Sequence, residues 1–213
     1  MLPTFSNPIF DRRPEAEQRE LNRTTTLRRI SPRRRMVNAL QSKNAVREIA
    51  SLPALEESLH IVCRGNFPLW SIVPAILKLS DGATVDALHV ATLGFSTSNA
   101  TDLLSMLDAN QVKAAALVCS VYFERQNPGE YRMMADGLSA RGQRIVALRS
   151  HAKVIAMALS DGRRFAVESS ANLRSCRNLE QITFTQSPDL HRFHAGWIDE
   201  VITAAGQKKG MLQ

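Results

Sequence analysis

The chain has 213 residues and a formal net charge of +7, with apolar residues making up 44% of it and charged residues 22%. This length suits one medium domain with an appendage, and the composition is that of a protein with a buried core. It excludes a chain that is disordered throughout, and no apolar run approaches the length of a membrane-spanning helix.

The positive charge is concentrated at the N-terminal end, where the first 50 residues hold eleven Lys and Arg against five Asp and Glu. Prolines interrupt this region, so we predict a basic arm over residues 1–50, partly disordered with a possible helix, and an α/β domain over residues 51–213. Guanidinium groups pair with phosphate, which makes nucleic acid the natural partner of the arm; the alternative is a solvated tail or a helix that contacts an acidic protein. The predicted nucleic-acid contacts are Arg28, Arg29, Arg33, Arg34 and Arg35.

The first predicted element is an amphipathic helix from Met36 to about Leu55, which leads into the domain. From residue 59 onward, short apolar runs alternate with longer amphipathic stretches. The apolar runs predict strands at 59–63, 85–93, 113–121 and 143–148, and the stretches between them predict helices at 69–79, 97–110 and 129–141. This alternation is typical of a parallel or mixed sheet that helices cover on both faces.

The pattern changes after residue 150. Two apolar runs, 151–159 and 163–168, flank the turn sequence Ser160-Asp161-Gly162 and predict a hairpin. A further strand is predicted over 178–185 and a closing helix over 188–205. The predicted fold class is therefore α/β, a mixed β-sheet flanked by helices on both faces, with a basic N-terminal arm.

Cysteine usage indicates a reducing compartment. Cys63, Cys119 and Cys176 are odd in number and widely spaced, without a disulfide framework or a CxxC metal pair. The first residues also lack a charged segment followed by an apolar one. We therefore expect a cytoplasmic protein, without secretion or membrane insertion.

Three short polar patterns stand at the predicted ends of neighbouring strands in the hairpin region. His151 and Lys153 are two residues apart, so on an extended strand they share a face and place an imidazole beside an ammonium group. Such a pair can attack phosphorus and bind phosphate oxygens. Ser170 and Asn172 supply neutral donors for the same oxygens, and Glu180 is a candidate to orient the imidazole.

The run HAKVIAMALSDGRRFAVESSANLRSCRNLEQ, residues 151–181, resembles the phospholipase D superfamily. The motif of that family is His-x-Lys, four residues, Asp, a short span and then Gly-Ser-x-Asn, often followed by Glu. The resemblance implies a phospholipase D-like fold. It makes His151 the nucleophile or acid, Lys153 the phosphate-binding lysine and Glu180 the later acid, with Ser170 and Asn172 as further phosphate ligands.

The run departs from the family pattern at two positions. Ala158 stands where the motif has Asp, and Ser169 stands where Gly is usual. The nearest acid is Asp161, in the predicted turn, and Glu168 is a candidate for the supporting role of the missing carboxylate. Phosphate binding is therefore a firmer expectation than turnover.

The chain contains one such motif, whereas members of the superfamily use two facing copies. The other histidines lack a lysine two residues on, and we expect packing roles for most of them; they are His60, His89, His191 and His194. The resemblance therefore implies a homodimer with the site on its two-fold axis. It also implies no cofactor, because single-motif members that look like this are metal-independent nucleases.

The leading hypothesis is a metal-independent phosphodiesterase that works through a phosphohistidine in a homodimeric site. DNA is favoured over RNA as its substrate, which makes the protein a DNA endonuclease. The alternative is a nucleic-acid-binding or assembly protein that keeps the phosphate pocket and has lost turnover. A phospholipase is disfavoured, because no amphipathic membrane-binding helix is visible. Residues 122–125 follow a predicted strand and are secondary candidates for bordering the cleft, with core or loop packing as the expectation.

Overall fold

Eight strands form one mixed sheet in the computed structural model, which describes residues 33–39, 44–64, 68–174 and 178–210. The strands pair in the order β1-β2-β8-β7-β6-β3-β4-β5. Their bounds are β1 Arg33–Ala39, β2 Glu57–Cys63, β3 Val85–Ala91, β4 Ala115–Ser120, β5 Arg144–Leu148, β6 Val154–Leu159, β7 Arg164–Ser169 and β8 Glu180–Gln186.

Six α-helices connect or follow these strands in the described part of the chain. A 3-10 turn, Leu69–Ser71, precedes the second of them. Their bounds are α1 Ala45–Ile49, α2 Ile72–Leu79, α3 Thr97–Asp108, α4 Val121–Gln126, α5 Pro128–Ser139 and α6 Pro188–Gly210.

The strand directions bring many strand ends to one side of the sheet. β3, β4 and β5 are parallel, as are β1 and β2, while β6, β7 and β8 pair antiparallel with their neighbours. Consequently β2, β3, β4, β5 and β7 all end where β6 and β8 begin. We call this side the carboxyl end of the sheet and the opposite side the amino end.

Both faces of the sheet are covered, as the sequence predicts. One face packs against α1 to α5 through a large apolar cluster that includes Ile76, Leu103 and Phe165. The other face packs against α6, whose Ile198 and Ile202 contact residues of β3, β4 and β6. Strand side chains alternate between the two clusters, which is the two-residue periodicity of a strand buried on both faces. The predicted α/β class, with a mixed sheet flanked by helices on both faces, is confirmed, while the basic N-terminal arm stays a prediction.

The predicted helix from Met36 to Leu55 is wrong for most of its length. Residues 33–39 instead form β1, which runs parallel to β2 with Arg35 opposite Leu59, and only the short helix α1 follows. Local apolar spacing favoured a helix, but hydrogen bonding to a neighbouring strand outweighs a weak helical preference. The predicted division of the chain at residue 50 stays a prediction.

The hairpin before the last helix is confirmed. β6 and β7 pair antiparallel around the turn Ser160-Asp161-Gly162, where Gly162 has a φ of +91° that an L side chain rarely adopts. By contrast, the six-residue helix α4 was not predicted. It begins directly after β4, where the Ser120 hydroxyl accepts a hydrogen bond from the Tyr122 N–H at 3.1 Å.

Among the residues that the structure describes, no helix is long and apolar enough to cross a membrane. Cys63 and Cys119 are buried in the core, and burial raises the pKa of the Cys119 thiol to about 12. Cys176 lies outside the described residues.

Candidate functional site

The three polar patterns of the motif meet at the carboxyl end of the sheet. β7 lies between β6 and β8, so the residues at these three strand ends are neighbours. The Ser169 N–H donates to the Lys153 carbonyl at 3.0 Å, and the Ser170 N–H donates to the Gln181 carbonyl at 3.1 Å. Strand register therefore brings together residues that stand almost 30 positions apart in the sequence.

Lys153 is buried beside His151. Its ammonium group, on a residue only 8% exposed, lies 2.7 Å from both the Nδ1 atom and the carbonyl oxygen of His151. The ammonium group also lies 3.4 Å from His151 Nε2, so it faces both nitrogens of the imidazole. Burial lowers the pKa of the Lys153 amine, and the negative charge of Glu180 opposes this shift.

Glu180 and Ser170 form a direct pair at the neighbouring strand end. The Ser170 hydroxyl donates to Glu180 Oε2 and accepts a hydrogen bond from the Gln181 N–H at 3.1 Å. Glu180 thus combines a hydrogen bond to Ser170 with an electrostatic interaction with Lys153. Its predicted role in orienting His151 stays a prediction.

Asn172 is held by the loop that follows β3. The Leu93 N–H donates to Asn172 Oδ1 at 3.2 Å, so the amide oxygen is engaged and the NH2 group forms the donor side of the amide. A carboxamide oriented in this way presents N–H groups, which suit phosphate oxygens.

Thr92 ties the same loop to the motif, and sequence analysis missed it. Its fully buried hydroxyl donates to the Gly94 carbonyl at 2.9 Å and accepts from the N–H groups of Gly94 at 3.3 Å and Leu173 at 3.4 Å. A threonine at a strand end carries no distinguishing signal in one sequence, because Leu173, the partner in the motif segment, lies 81 positions away.

Ala158, at the position of the motif's Asp, lies far from the phosphate-binding candidates. It is a buried residue of β6, opposite Arg164 on β7, and it stands five positions after Lys153. At a rise of about 3.3 Å per residue, this separation is roughly 16 Å. Asp161, in the turn, instead pairs with Arg163 at 2.5 Å. The substitution therefore changes the amino end of the hairpin and leaves the polar cluster at the carboxyl end intact.

Glu168 contacts α6 rather than the polar cluster. Its Oε1 lies 3.2 Å from His194 Nε2, while the Trp197 indole N–H donates to His194 Nδ1 at 3.1 Å. Because the indole can only donate, His194 Nδ1 accepts and Nε2 carries the proton towards Glu168. His89 binds α6 in a similar way, through Asp199 at 3.1 Å.

The predicted nucleic-acid contacts lie elsewhere or outside the described residues. Arg28 and Arg29 are not described. Arg33 and Arg34 are exposed at the start of β1, at the amino end of the sheet. Arg35 pairs with Glu57 at 2.9 Å and donates to the Ser51 carbonyl at 2.8 Å. Its guanidinium therefore connects β1 to β2 and to the segment that precedes β2. Their role in binding nucleic acid stays a prediction.

Helix α4 follows β4 at the carboxyl end of the sheet. Tyr122 and Arg125 are exposed there, whereas Phe123 is buried and packs 4.6 Å from Phe95, measured between ring centroids. The Cζ atom of Arg174, two residues after Asn172, lies 6.0 Å from the Phe123 ring centroid. Within the described ranges, no group of three His, Cys, Asp or Glu side chains is arranged to hold a metal ion.

Among solved structures, the chain is similar in fold to the two described next. One is a polyphosphate kinase from Porphyromonas gingivalis, with a TM-score of 0.50 and 15% identity over 71% of this chain and 29% of the kinase chain. This chain thus spans less than a third of that structure. The other is Nuc, a phospholipase D family member from Salmonella typhimurium, with a TM-score of 0.47 and 15% identity over 68% of this chain and 93% of Nuc. No protein-family model and no curated protein sequence matches the chain.

Proposed function

We propose that the chain is a metal-independent phosphodiesterase, a DNA endonuclease that acts as a homodimer. The observation that carries the proposal is the buried Lys153 ammonium group 2.7 Å from the His151 imidazole, at a strand end shared with Ser170, Asn172 and Glu180. A buried cation, a nucleophilic imidazole and neutral donors are the groups that phosphodiester cleavage requires. The fold and the motif resemblance support the same reading.

In the proposed first step, His151 Nε2 of one protomer attacks phosphorus, an N–P bond forms and the bond from phosphorus to the leaving oxygen breaks. That oxygen takes the Nε2 proton from His151 of the partner subunit. In the second step the partner imidazole takes a proton from water, the water oxygen attacks phosphorus and the N–P bond breaks. Lys153 and the Asn172 amide neutralise charge on the phosphate oxygens in both steps.

The two copies of His151 need different tautomers in this mechanism. The general acid needs its proton on Nε2, whereas the nucleophilic copy needs a free Nε2 lone pair and holds its proton on Nδ1. The Lys153 ammonium group lies 2.7 Å from Nδ1 and 3.4 Å from Nε2. We propose that Lys153 leaves the imidazole when it binds the phosphate, and that this movement permits either tautomer.

The test is a nuclease assay in excess EDTA on single-stranded and double-stranded DNA and on RNA. Wild type should cleave DNA, and acid quenching should trap a phosphorylated peptide containing His151. His151→Ala should abolish both signals, whereas His60→Ala, an exposed histidine within β2, is the matched control and should retain both. Full activity of His151→Ala, or a monomeric mass for the active species, contradicts the proposal.

A second candidate is a nucleic-acid-binding or assembly protein that has lost turnover, and Ala158 in place of Asp is the observation that favours it. This candidate predicts salt-sensitive DNA binding with no product from the pure protein. Measurable cleavage by wild type rejects it, whereas cleavage by Ala158→Asp alone supports it. The cytoplasmic location stays a prediction.

A further inference from the structure

An exposed arginine stands two residues outside each half of the motif. Arg149 precedes His151 by two positions, and Arg174 follows Asn172 by two positions. Both side chains are exposed at the carboxyl end of the sheet. Two residues span at most about 7 Å of chain, so each guanidinium lies within side-chain reach of the space next to the motif.

These two arginines lack the partners that neutralise others in the fold. Within the described residues, neither Arg149 nor Arg174 has a carboxylate within ion-pair distance. At the amino end of the sheet, by contrast, four arginines each bind a carboxylate at 2.5 to 2.9 Å. They are Arg141, Arg144, Arg163 and Arg192. Unneutralised guanidinium groups beside a buried ammonium create a positive potential that attracts a polyanion.

Local contacts order the backbone next to Arg149 and place the Arg174 side chain against an aromatic ring. After β5, the Ser150 N–H donates to the Leu148 carbonyl at 2.9 Å, and the Ala152 N–H donates to the Ser150 hydroxyl at 3.3 Å. These bonds order the backbone on both sides of Ser150, and the Arg149 side chain before it is exposed. Arg174 lies near the Phe123 ring of α4, with its Cζ atom 6.0 Å from the ring centroid, a distance at which a guanidinium interacts with an aromatic face.

We infer that Arg149 and Arg174 bind the phosphates on either side of the one held by Lys153. The inference rests on the proposed function and narrows its substrate class to chains of consecutive phosphodiesters. A guanidinium pairs bidentately with a phosphate, and each such contact releases counterions. A small ester with a single phosphate fills the central position alone and gains nothing from either arginine.

The test compares a DNA oligonucleotide with bis(p-nitrophenyl) phosphate, using wild type, Arg149→Gln, Arg174→Gln and Arg192→Gln. For each of the first two variants, the ratio of kcat/KM on the oligonucleotide to kcat/KM on the small ester should fall about tenfold, with most of the change in KM. Arg192→Gln removes the same charge from an exposed arginine at the amino end and should keep the wild-type ratio. An unchanged ratio in Arg149→Gln and Arg174→Gln overturns the inference.

Binding without cleavage separates this inference from the proposed function. The arginine variants are made in the His151→Ala protein, and fluorescence anisotropy measures the association constant for the same oligonucleotide at several salt concentrations. The slope of the logarithm of this constant against the logarithm of the salt concentration is then compared. Replacing Arg149 or Arg174 should reduce that slope by about 1, whether or not the wild type cleaves DNA. An undiminished slope overturns the inference even if cleavage is confirmed. Thermal melting of each variant checks that the fold is retained.

Discussion

The Nζ atom of Lys153 lies 2.7 Å from the Nδ1 atom of His151, and both residues stand in the segment directly before β6. The ammonium group also donates to the His151 carbonyl at 2.7 Å, so a phosphate oxygen competes with the acceptors that His151 already supplies. Its burial makes the contact strong and makes loss of charge easier than in water. Phosphate binding and its pH dependence should therefore both depend on this pair.

Activity should fall on the alkaline side at a pH below the ordinary lysine pKa of 10.5. Burial lowers the pKa of Lys153, so the ammonium form that binds phosphate is lost as pH rises through that lowered value. This alkaline fall, the alkaline limb of the profile, is measured as kcat/KM against pH. Lys153→Arg keeps the charge to above about pH 12, so the residual activity of this variant should lack the limb. An alkaline limb of the same midpoint in Lys153→Arg would assign it to another group.

Thr92→Val should destabilise the loop that holds Asn172. The change keeps the side-chain shape, but it leaves the N–H of Leu173 and both backbone groups of Gly94 without the hydroxyl. We expect a loss of about 1 to 3 kcal/mol in the free energy of unfolding, together with a lower kcat. Urea denaturation and the nuclease assay measure the two effects. Thr92→Ser keeps the hydroxyl and should recover most of both, whereas equal losses in the two variants would show that the methyl group matters instead.

Gly94→Ala should destabilise the protein because the space for a methyl group is occupied. A Cβ atom at this position would meet the Cδ2 atom of the Phe123 ring, well inside van der Waals contact. Since Phe123 is buried against Phe95, the ring cannot move freely, and a cost of about 1 to 3 kcal/mol is expected. Gly129→Ala is the matched control, because a Cβ added there would meet nothing within 4 Å and the helix gains a better former. Melting temperatures that shift equally in both variants would contradict this explanation.

Folding stability should decrease as the pH falls from about 6.5 to about 4, in part through His191. Burial, with Arg164, His89, Arg192 and His194 nearby, lowers the pKa of His191 to about 4, so the unfolded chain binds this proton first. The stability that the neutral ring provides is thus complete above about pH 6.5 and is lost towards pH 4. Because the ring is only half-buried, we expect an effect of about 1 to 2 kcal/mol.

The measurement is the difference in unfolding free energy between about pH 7.5 and about pH 4.5 for wild type and His191→Gln. The variant should show a smaller loss over this interval, because its side chain does not titrate. His60→Gln, an exposed histidine, controls for the acid sensitivity of the remaining carboxylates. A difference in His191→Gln as large as that of wild type would remove His191 from the explanation.

The α/β alternation, the hairpin and the covered sheet could be predicted from sequence because they depend on local periodicity and turn chemistry. The turn at Gly162 and the strands around it are examples. Strand β1 could not be predicted in this way, because residues 33–39 form a strand by pairing with β2, and each paired residue of β2 stands 24 positions later in the sequence. Helix α4 was missed because six residues are too few to show a helical period.

The sequence by itself determined the two-residue spacing of His151 and Lys153, the Ser-Ser-Ala-Asn segment and its position at the end of a strand. Only the tertiary structure decided which partners these groups have: Thr92 and Leu93 beside the Asn172 loop, and Glu180 against Ser170. It also decided that Ala158 stands at the far end of β6 and that Arg149 and Arg174 have no carboxylate partner among the described residues. The physical reason is that spacing along one strand fixes which side chains share a face, whereas contacts between strands depend on the pairing order and register of the whole sheet.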